Sequence, residues 1–172
     1  MLHPDRLLPT DDHQRTIARA LYDSVRDLPI ISPHGHTDPQ WFATNASFTD
    51  PVSLFITPDH YVFRMLYSQG ITLEELGIGS PPPNEEKARS IWQLFADNYH
   101  LFRGTPSRIW LDHVFAAVFG IEDRLDSGTA GAYFDTISDA LKTEAFRPRA
   151  LFERFNIEVL ATPESPPDTL PF

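Results

Sequence analysis

The sequence predicts an α/β fold that is mostly helical. Two short runs rich in β-branched residues, Ile30-Ile31-Ser32 and Ile157-Glu158-Val159-Leu160-Ala161, have the length and composition of strands. Between them, over about 50–145, apolar residues recur at helical spacing. The 172 residues are 41% hydrophobic and 22% charged, the balance of an ordinary globular domain rather than of a collagenous, coiled-coil or disordered chain.

Each element has a local cause. Thr10 followed by Asp11 and Asp12 predicts a capped, acidic helix start, and Ile17, Leu21, Val25 and Leu28 then form one apolar stripe, so an amphipathic helix runs over about 11–27. Pro29 ends it, and Ile30–Ser32 reads as a buried strand that stops at His34-Gly35-His36. Pro51 behind Asp50 and Pro58 behind Thr57 suit first helical positions, and Gly70 suits the stop of a helix over about 58–69. Thr72 with Glu75 makes a capping box for a short helix, and Gly79-Ser80-Pro81-Pro82-Pro83 is a loop. Asn84 caps a helix carrying Ile91, Leu94, Phe95, Leu101 and Phe102 up to Gly104. Thr105-Pro106 starts another, with Ile109, Trp110, His113, Val114 and Val118, that ends at Gly120. These two are expected to form a helical hairpin. A further helix spans about 129–142, and Pro148 opens one with Leu151, Phe152 and Phe155 before the second strand. The proline-rich ending from Pro163 to Phe172 offers no cap, helix or strand. Two strands joined by a crossover should be parallel, and parallel strands need both faces covered, so the chain reads as the front portion of a larger α/β domain. A closed (β/α)₈ barrel takes about 250 residues or more.

Charge and composition exclude several functions. With 24 acidic against 14 basic residues, the net charge of −10 opposes nucleic acid and anionic lipid, so neither is an expected partner. No apolar run is long enough to span a membrane, and the start lacks a secretory pattern, which predicts a cytoplasmic protein. The absence of cysteine removes disulfides, thiolate metal sites and cysteine nucleophiles, leaving the seven His and the carboxylates to bind any metal.

The strongest local motif is Pro33-His34-Gly35-His36-Thr37-Asp38-Pro39. In extended chain His34 and His36 project to the same side, and the intervening Gly lets backbone approach a metal or substrate, so the two imidazoles converge. The structural alternative is a strand cap with Asp38 accepting from one ring. Two ligands alone are not a catalytic centre. In Asp59-His60-Tyr61-Val62-Phe63-Arg64, His60 and Arg64 share a helix face on which they would flank an anionic or polar ligand, with Tyr61 about a quarter-turn away. The alternative is an ordinary first turn with Arg64 paired to Asp59 or Asp38. Phe102–Pro106 reads as a helix stop and restart, His100 and His113 as core or boundary histidines, and Phe146–Arg149 as a solvated helix start. There is no G-x-S-x-G, Walker A or G-x-G-x-x-G pattern, Gly77-Ile78-Gly79 being the nearest miss.

Taken in order, LPIISPHGHTDP, DHYVFRMLYSQG, LFRGTPSRIWLDHVF and FRPRALFERFNIEVLAT resemble the N-terminal part of the uronate (glucuronate) isomerases, divergent members of the amidohydrolase superfamily with a distorted (β/α)₈ barrel. The resemblance implies a first barrel strand with the His-x-His over 28–36, a helical insertion over about 50–145, a second barrel strand over 157–161 and an irregular tail over 162–172. It implies aldose–ketose isomerisation of a hexuronate, D-glucuronate to D-fructuronate and D-galacturonate to D-tagaturonate. His34 and His36 match the family's metal ligands, the metal being a divalent cation of the zinc type. His60 and Tyr61 match a substrate-lining pair that assists proton transfer, with Arg64 in support. Family members are more than twice as long, and their later strands bring an Asp ligand and further His and Arg residues with no counterpart here. The ending ATPESPPDTLPF also departs from the family pattern. The 172-residue chain alone is therefore expected to be inactive. A metal-dependent hydrolase of the amidohydrolase type and a non-catalytic helical interaction module are the alternatives. Uncovered strand edges would also suit a homo-oligomer.

Overall fold

The computed structural model describes residues 2–162, so the proline-rich ending, expected to be irregular, lies outside the described residues. The chain divides into two compact units, one of residues 47–143 with Leu2 and one of 3–46 with 144–162.

The first unit is helical and contains every buried apolar side chain of the core from Val52 to Leu141. Helices α1, Asp12–Val25, and α2, Pro39–Thr44, lie in the second unit, and α3, Pro51–Phe55, opens the first. Asp50 Oδ1 accepts from the amides of Val52 and Ser53 at 2.8 and 2.9 Å, which satisfies the free N–H groups of α3 behind Pro51. α4 follows over His60–Tyr67, α5 over Glu85–Asp97, α6 over Pro106–His113 and α7 over Ala130–Leu141. Their apolar faces meet around Trp92, Phe95, Tyr99, Phe102 and Phe115, whose rings contact one another edge-on or tilted at 5–6 Å, as at 5.3 Å between Phe95 and Tyr99. The buried Trp92 indole donates to the Ala130 carbonyl at 3.1 Å and joins α5 to α7.

Four expectations for this unit are corrected. The helix from Asn84 to Gly104 breaks at Asn98, whose side-chain amide donates to the Leu94 carbonyl at 2.9 Å, and a 3₁₀ turn over Tyr99–Phe102 follows. α5 packs chiefly against α3 and α7, and it meets the segment after α6 through the Trp92–Phe115 ring contact rather than as a regular hairpin. The helix expected from Pro106 to Gly120 ends at His113 and widens into a π turn over Val114–Val118, which drops Phe115 into the core. Thr72 and Glu75 do exchange caps, the Thr72 amide donating at 2.8 Å and the Glu75 amide at 3.2 Å, but around a turn rather than a helix.

The second unit holds α1, α2, α8 over Pro148–Arg154, and two strands, β1 over Ile30–Ser32 and β2 over Ile157–Leu160. The strands pair in parallel, Ile30 opposite Ile157 and Ser32 opposite Leu160, as a crossover connection requires. Burial of β1 is a corrected expectation, because Ile30 and Ile31 are 49% and 62% exposed. The apolar stripe of α1 is exposed as well, with Leu21 at 65%. A two-stranded parallel sheet has neither face fully layered, and about half or more of each of these side chains is left exposed.

Candidate active site

The turn after β1 is set by backbone contacts at the end of β2. The Ala161 amide donates to the Ser32 carbonyl at 2.9 Å, and the Ser32 hydroxyl donates to the His34 carbonyl at 3.1 Å. A Cβ on Gly35 would stand 3.2 Å from the Ala161 carbonyl oxygen and 3.3 Å from Leu160 Cδ1, so glycine is what lets the turn lie against β2. His34 and His36 flank it, both exposed, with ring centroids 4.9 Å apart and their Nε2 atoms 3.1 Å apart. At that separation the two ring nitrogens lie within hydrogen-bond distance, with the direction depending on the tautomer. Asp38 does not bond either ring; its carboxylate accepts from the Gln40 amide at 2.8 Å and caps α2. Among the described residues no group of three or more His, Asp or Glu side chains gathers to hold a metal ion.

The C-terminal end of α2 is tied down by a residue that sequence reading assigned to a solvated helix start. Arg149 of α8 donates to the carbonyls of Phe42 and Ala43 at 2.8 and 3.0 Å, and its amide donates to Asn45 Oδ1 at 3.0 Å. A guanidinium at the negative end of a helix satisfies free carbonyls and opposes the helix dipole. The only sequence signal was the basic Arg-Pro-Arg start of α8, because the partners lie more than 100 residues away.

α4 carries the second group. Asp59 accepts from the Tyr61 amide at 2.8 Å and fixes the first turn, placing His60 and Tyr61 at its exposed beginning. The expected geometry is corrected here: Tyr61 does not point away from His60 and Arg64 but contacts both. The imidazole and phenol rings lie 4.2 Å apart at 34°, and the Arg64 guanidinium carbon sits 5.4 Å from the Tyr61 ring centre. Arg64 forms no ion pair with Asp59. Tyr61 and Arg64 instead line a cavity of about 510 Å³ with Met65, Phe102, Thr105 and Trp110. Gly104 at φ 79° and Thr105, which accepts from the Arg108 amide, do form the stop and restart read from the sequence. Their second role as cavity wall was invisible without the fold. His34 and His36 belong to one unit and His60, Tyr61 and Arg64 to the other. His100 and His113 are exposed, not core residues.

Outside these groups, burial first and the Asp112 carboxylate second push the Tyr99 phenol far above its ordinary value. Burial, then Asp112 and Asp123, push Tyr133 up to about 12. The Tyr99 hydroxyl donates to Asp112 at 2.9 Å while Arg108 binds the other carboxylate oxygen at 2.8 Å, so both groups serve the helical core.

Comparison with known proteins agrees with the sequence motifs. The family model described as glucuronate isomerase matches residues 10–172. The chain is 62% identical over 170 residues to a uronate isomerase of Phenylobacterium zucineum, covering 98% of this chain and 35% of that protein. It is 58% identical over 169 residues to one of Mesorhizobium japonicum, covering 97% of this chain and 36% of the relative. Among solved structures, a glucuronate isomerase from Caulobacter crescentus matches 99% of this chain and 36% of its own with a TM-score of 0.93 at 56% identity. A uronate isomerase from Thermotoga maritima matches at a TM-score of 0.79 and 26% identity, over 94% of this chain and 33% of its own. The chain thus spans about a third of the length of these relatives. With 163 of its residues, from 10 to 172, under one family model and close relatives at 58–62% identity, the chain belongs to the glucuronate isomerase family.

Proposed function

We propose that this chain is the N-terminal part of a uronate isomerase that converts D-glucuronate to D-fructuronate and D-galacturonate to D-tagaturonate, and that it is inactive by itself. In this reading β1 and β2 are the first two strands of a distorted (β/α)₈ barrel, with the His-x-His inside the 28–36 segment, the second strand over 157–161, and about 50–145 as a helical insertion. The observation that carries the reading is the convergence of His34 and His36 just past the C-terminal end of a strand paired in parallel, the end where barrel active sites are built.

The donor set fits a divalent cation of the zinc type. Two Nε2 atoms 3.1 Å apart, each at the roughly 2.0–2.1 Å of a zinc–imidazole bond, subtend about 95–102°, within about 15° of tetrahedral. His34 and His36 would hold the cation, which supplies positive charge to the sugar oxygens. Isomerisation of the opened sugar moves a proton from C2 to C1 and the hydroxyl proton of O2 to O1. In this reading His60 and Tyr61, whose rings stack 4.2 Å apart, line the substrate and assist those transfers, with Arg64 in support.

The test mixes the 172-residue chain with a polypeptide of the Caulobacter crescentus relative that begins where this chain's match ends, and follows ketose formation from D-glucuronate. Neither piece should turn over alone, the mixture should, and His34→Ala or His36→Ala should abolish it. A mixture that co-elutes as one complex yet makes no ketose refutes the isomerase reading, as does one that hydrolyses amides or lactones instead.

A further inference from the structure

The turn that carries His34 and His36 connects two anchored elements. At its start β1 is held by β2, through the parallel pairing and the hydrogen bond from the Ala161 amide to the Ser32 carbonyl. At its end Asp38 caps α2. Successive Cα atoms are about 3.8 Å apart, so the Cα of His36 lies within about 7.6 Å of that of Asp38, and a displacement of α2 passes directly into the turn. How firmly α2 is held therefore bears on the second imidazole.

α2 has little of its own to hold it. It is six residues long, against the roughly 12–15 at which an isolated helix is still marginal, and none of its residues is buried. Its last carbonyls are where it is secured. The Trp41 carbonyl accepts from the Asn45 amide at 2.9 Å, and the next two, of Phe42 and Ala43, accept from the Arg149 guanidinium at 2.8 and 3.0 Å. The Arg149 amide completes the clamp on Asn45 Oδ1 at 3.0 Å, with Asn45 at φ 52°, a left-handed conformation in which Asn is enriched. Beside it the Phe42 and Phe152 rings meet edge-on at 5.9 Å. Arg149 and Phe152 both belong to α8, which leads into β2. β1, the turn, α2, α8 and β2 thus form a closed path, and Arg149 is its polar joint.

We propose that Arg149 is a positioning residue for the histidine pair: by clamping α2 to α8 it fixes the far end of the turn and so the approach of His36 to His34. Its effect on cation binding rests on the reading of that pair as a cation site. Its effect on the arrangement of the two rings does not.

Zinc titration of the 172-residue chain and imidazole nitrogen NMR of the metal-free chain test this. Arg149→Ala should weaken zinc binding at least fivefold and shift the imidazole resonances of His34 and His36. Removing a positive charge would by itself favour a cation, so a loss of affinity reports geometry and not charge. Arg149→Lys, whose ammonium can donate to the same helix-end carbonyls, should bind zinc to within about threefold of the parent. Asn45→Gly suits φ 52° and removes the acceptor of the Arg149 amide, so it should move both readouts in the same direction by less, and it carries the test if Arg149→Ala does not fold. His3, in the same unit, accepts from the Asp5 amide through Nδ1 at 3.1 Å and reports any general loosening. Its resonances should stay in place, and their moving along with those of His34 and His36 overturns the proposal. So do unchanged His34 and His36 resonances in both Arg149→Ala and Asn45→Gly, or an Arg149→Lys chain that binds zinc no better than Arg149→Ala. A parent chain that binds no zinc refutes the cation reading, and the metal-free spectra then decide the role of Arg149 by themselves.

Discussion

Gly35→Ala probes how the two imidazoles are held together. The added methyl would stand 3.2 Å from the Ala161 carbonyl oxygen and 3.3 Å from Leu160 Cδ1, where ordinary contacts are 3.4–4 Å. The Leu160 side chain can rotate away. The Ala161 carbonyl cannot do so freely, because the amide of the same residue bonds to Ser32. The turn must therefore shift by a few tenths of an ångström. That is comparable to the roughly 0.2 Å tolerance of a metal–ligand distance, so the Nε2 separation of 3.1 Å is disturbed. Overpacking costs about 1–3 kcal/mol of stability, and if about 1 kcal/mol of that strain is felt only when both imidazoles are held in ligand geometry, zinc affinity falls about fivefold. Gly35 has no positive φ, so the effect isolates steric contact from backbone strain. Zinc titration against a chromophoric competitor gives the affinity, and imidazole nitrogen NMR of His34 and His36 reports the geometry. Unchanged affinity together with unchanged imidazole spectra would refute the argument that the contact with β2 sets the histidine pair.

Phe115→Ala should destabilise the helical unit by about 3–5 kcal/mol in urea unfolding, because the ring is buried against Phe55, Trp92, Tyr99 and Tyr133. Stability should also fall as pH rises above about 10: the unfolded phenols of Tyr99 and Tyr133 ionise there while the folded ones, raised by burial, keep their protons, to about 12 for Tyr133. Urea midpoints flat between pH 9 and 11.5 would contradict that linkage, and the Tyr99→Phe/Tyr133→Phe double variant should lose the dependence these two groups contribute.

Local signals made most of the helices legible. Asp50-Pro51, Asn84 and Thr105-Pro106 each form the cap that their sequence specifies, and those side chains act within three residues of themselves. The start expected at Thr57-Pro58 is corrected, because Asp59 caps α4 and the helix begins at His60. What the sequence left obscure depends on partners far along the chain. The break at Asn98 and the π turn at Val114 follow from how Trp92, Tyr99 and Phe115 fill one aromatic core, which no periodicity records. The same holds for Arg149, whose role depends on carbonyls at Phe42 and Ala43. The His-x-His spacing was legible because two alternating side chains need only one strand end, whereas the cavity at Arg64 required residues 61–68 and 102–110 to meet.

The two units differ in what holds them, and this separates the ways the proposals can fail. All large buried apolar side chains belong to residues 52–141, so the helical unit has a core of its own and its readouts at Phe115 and Tyr133 depend on that core. The unit with β1 and β2 leaves Leu21, Val25, Ile31 and Val159 46–65% exposed, and its His pair rests on backbone contacts at Ser32 and Ala161. Parallel strands with uncovered apolar faces gain stability when further layers are added, and the matched relatives are about three times as long. Supplying the remaining polypeptide should therefore slow hydrogen exchange at the β1 and β2 amides while leaving exchange in α5 and α7 nearly unchanged. Equal slowing in both units would mean that the helical core is itself unfinished, and unchanged exchange in β1 and β2 would mean that the exposed sheet is not where the missing layers dock.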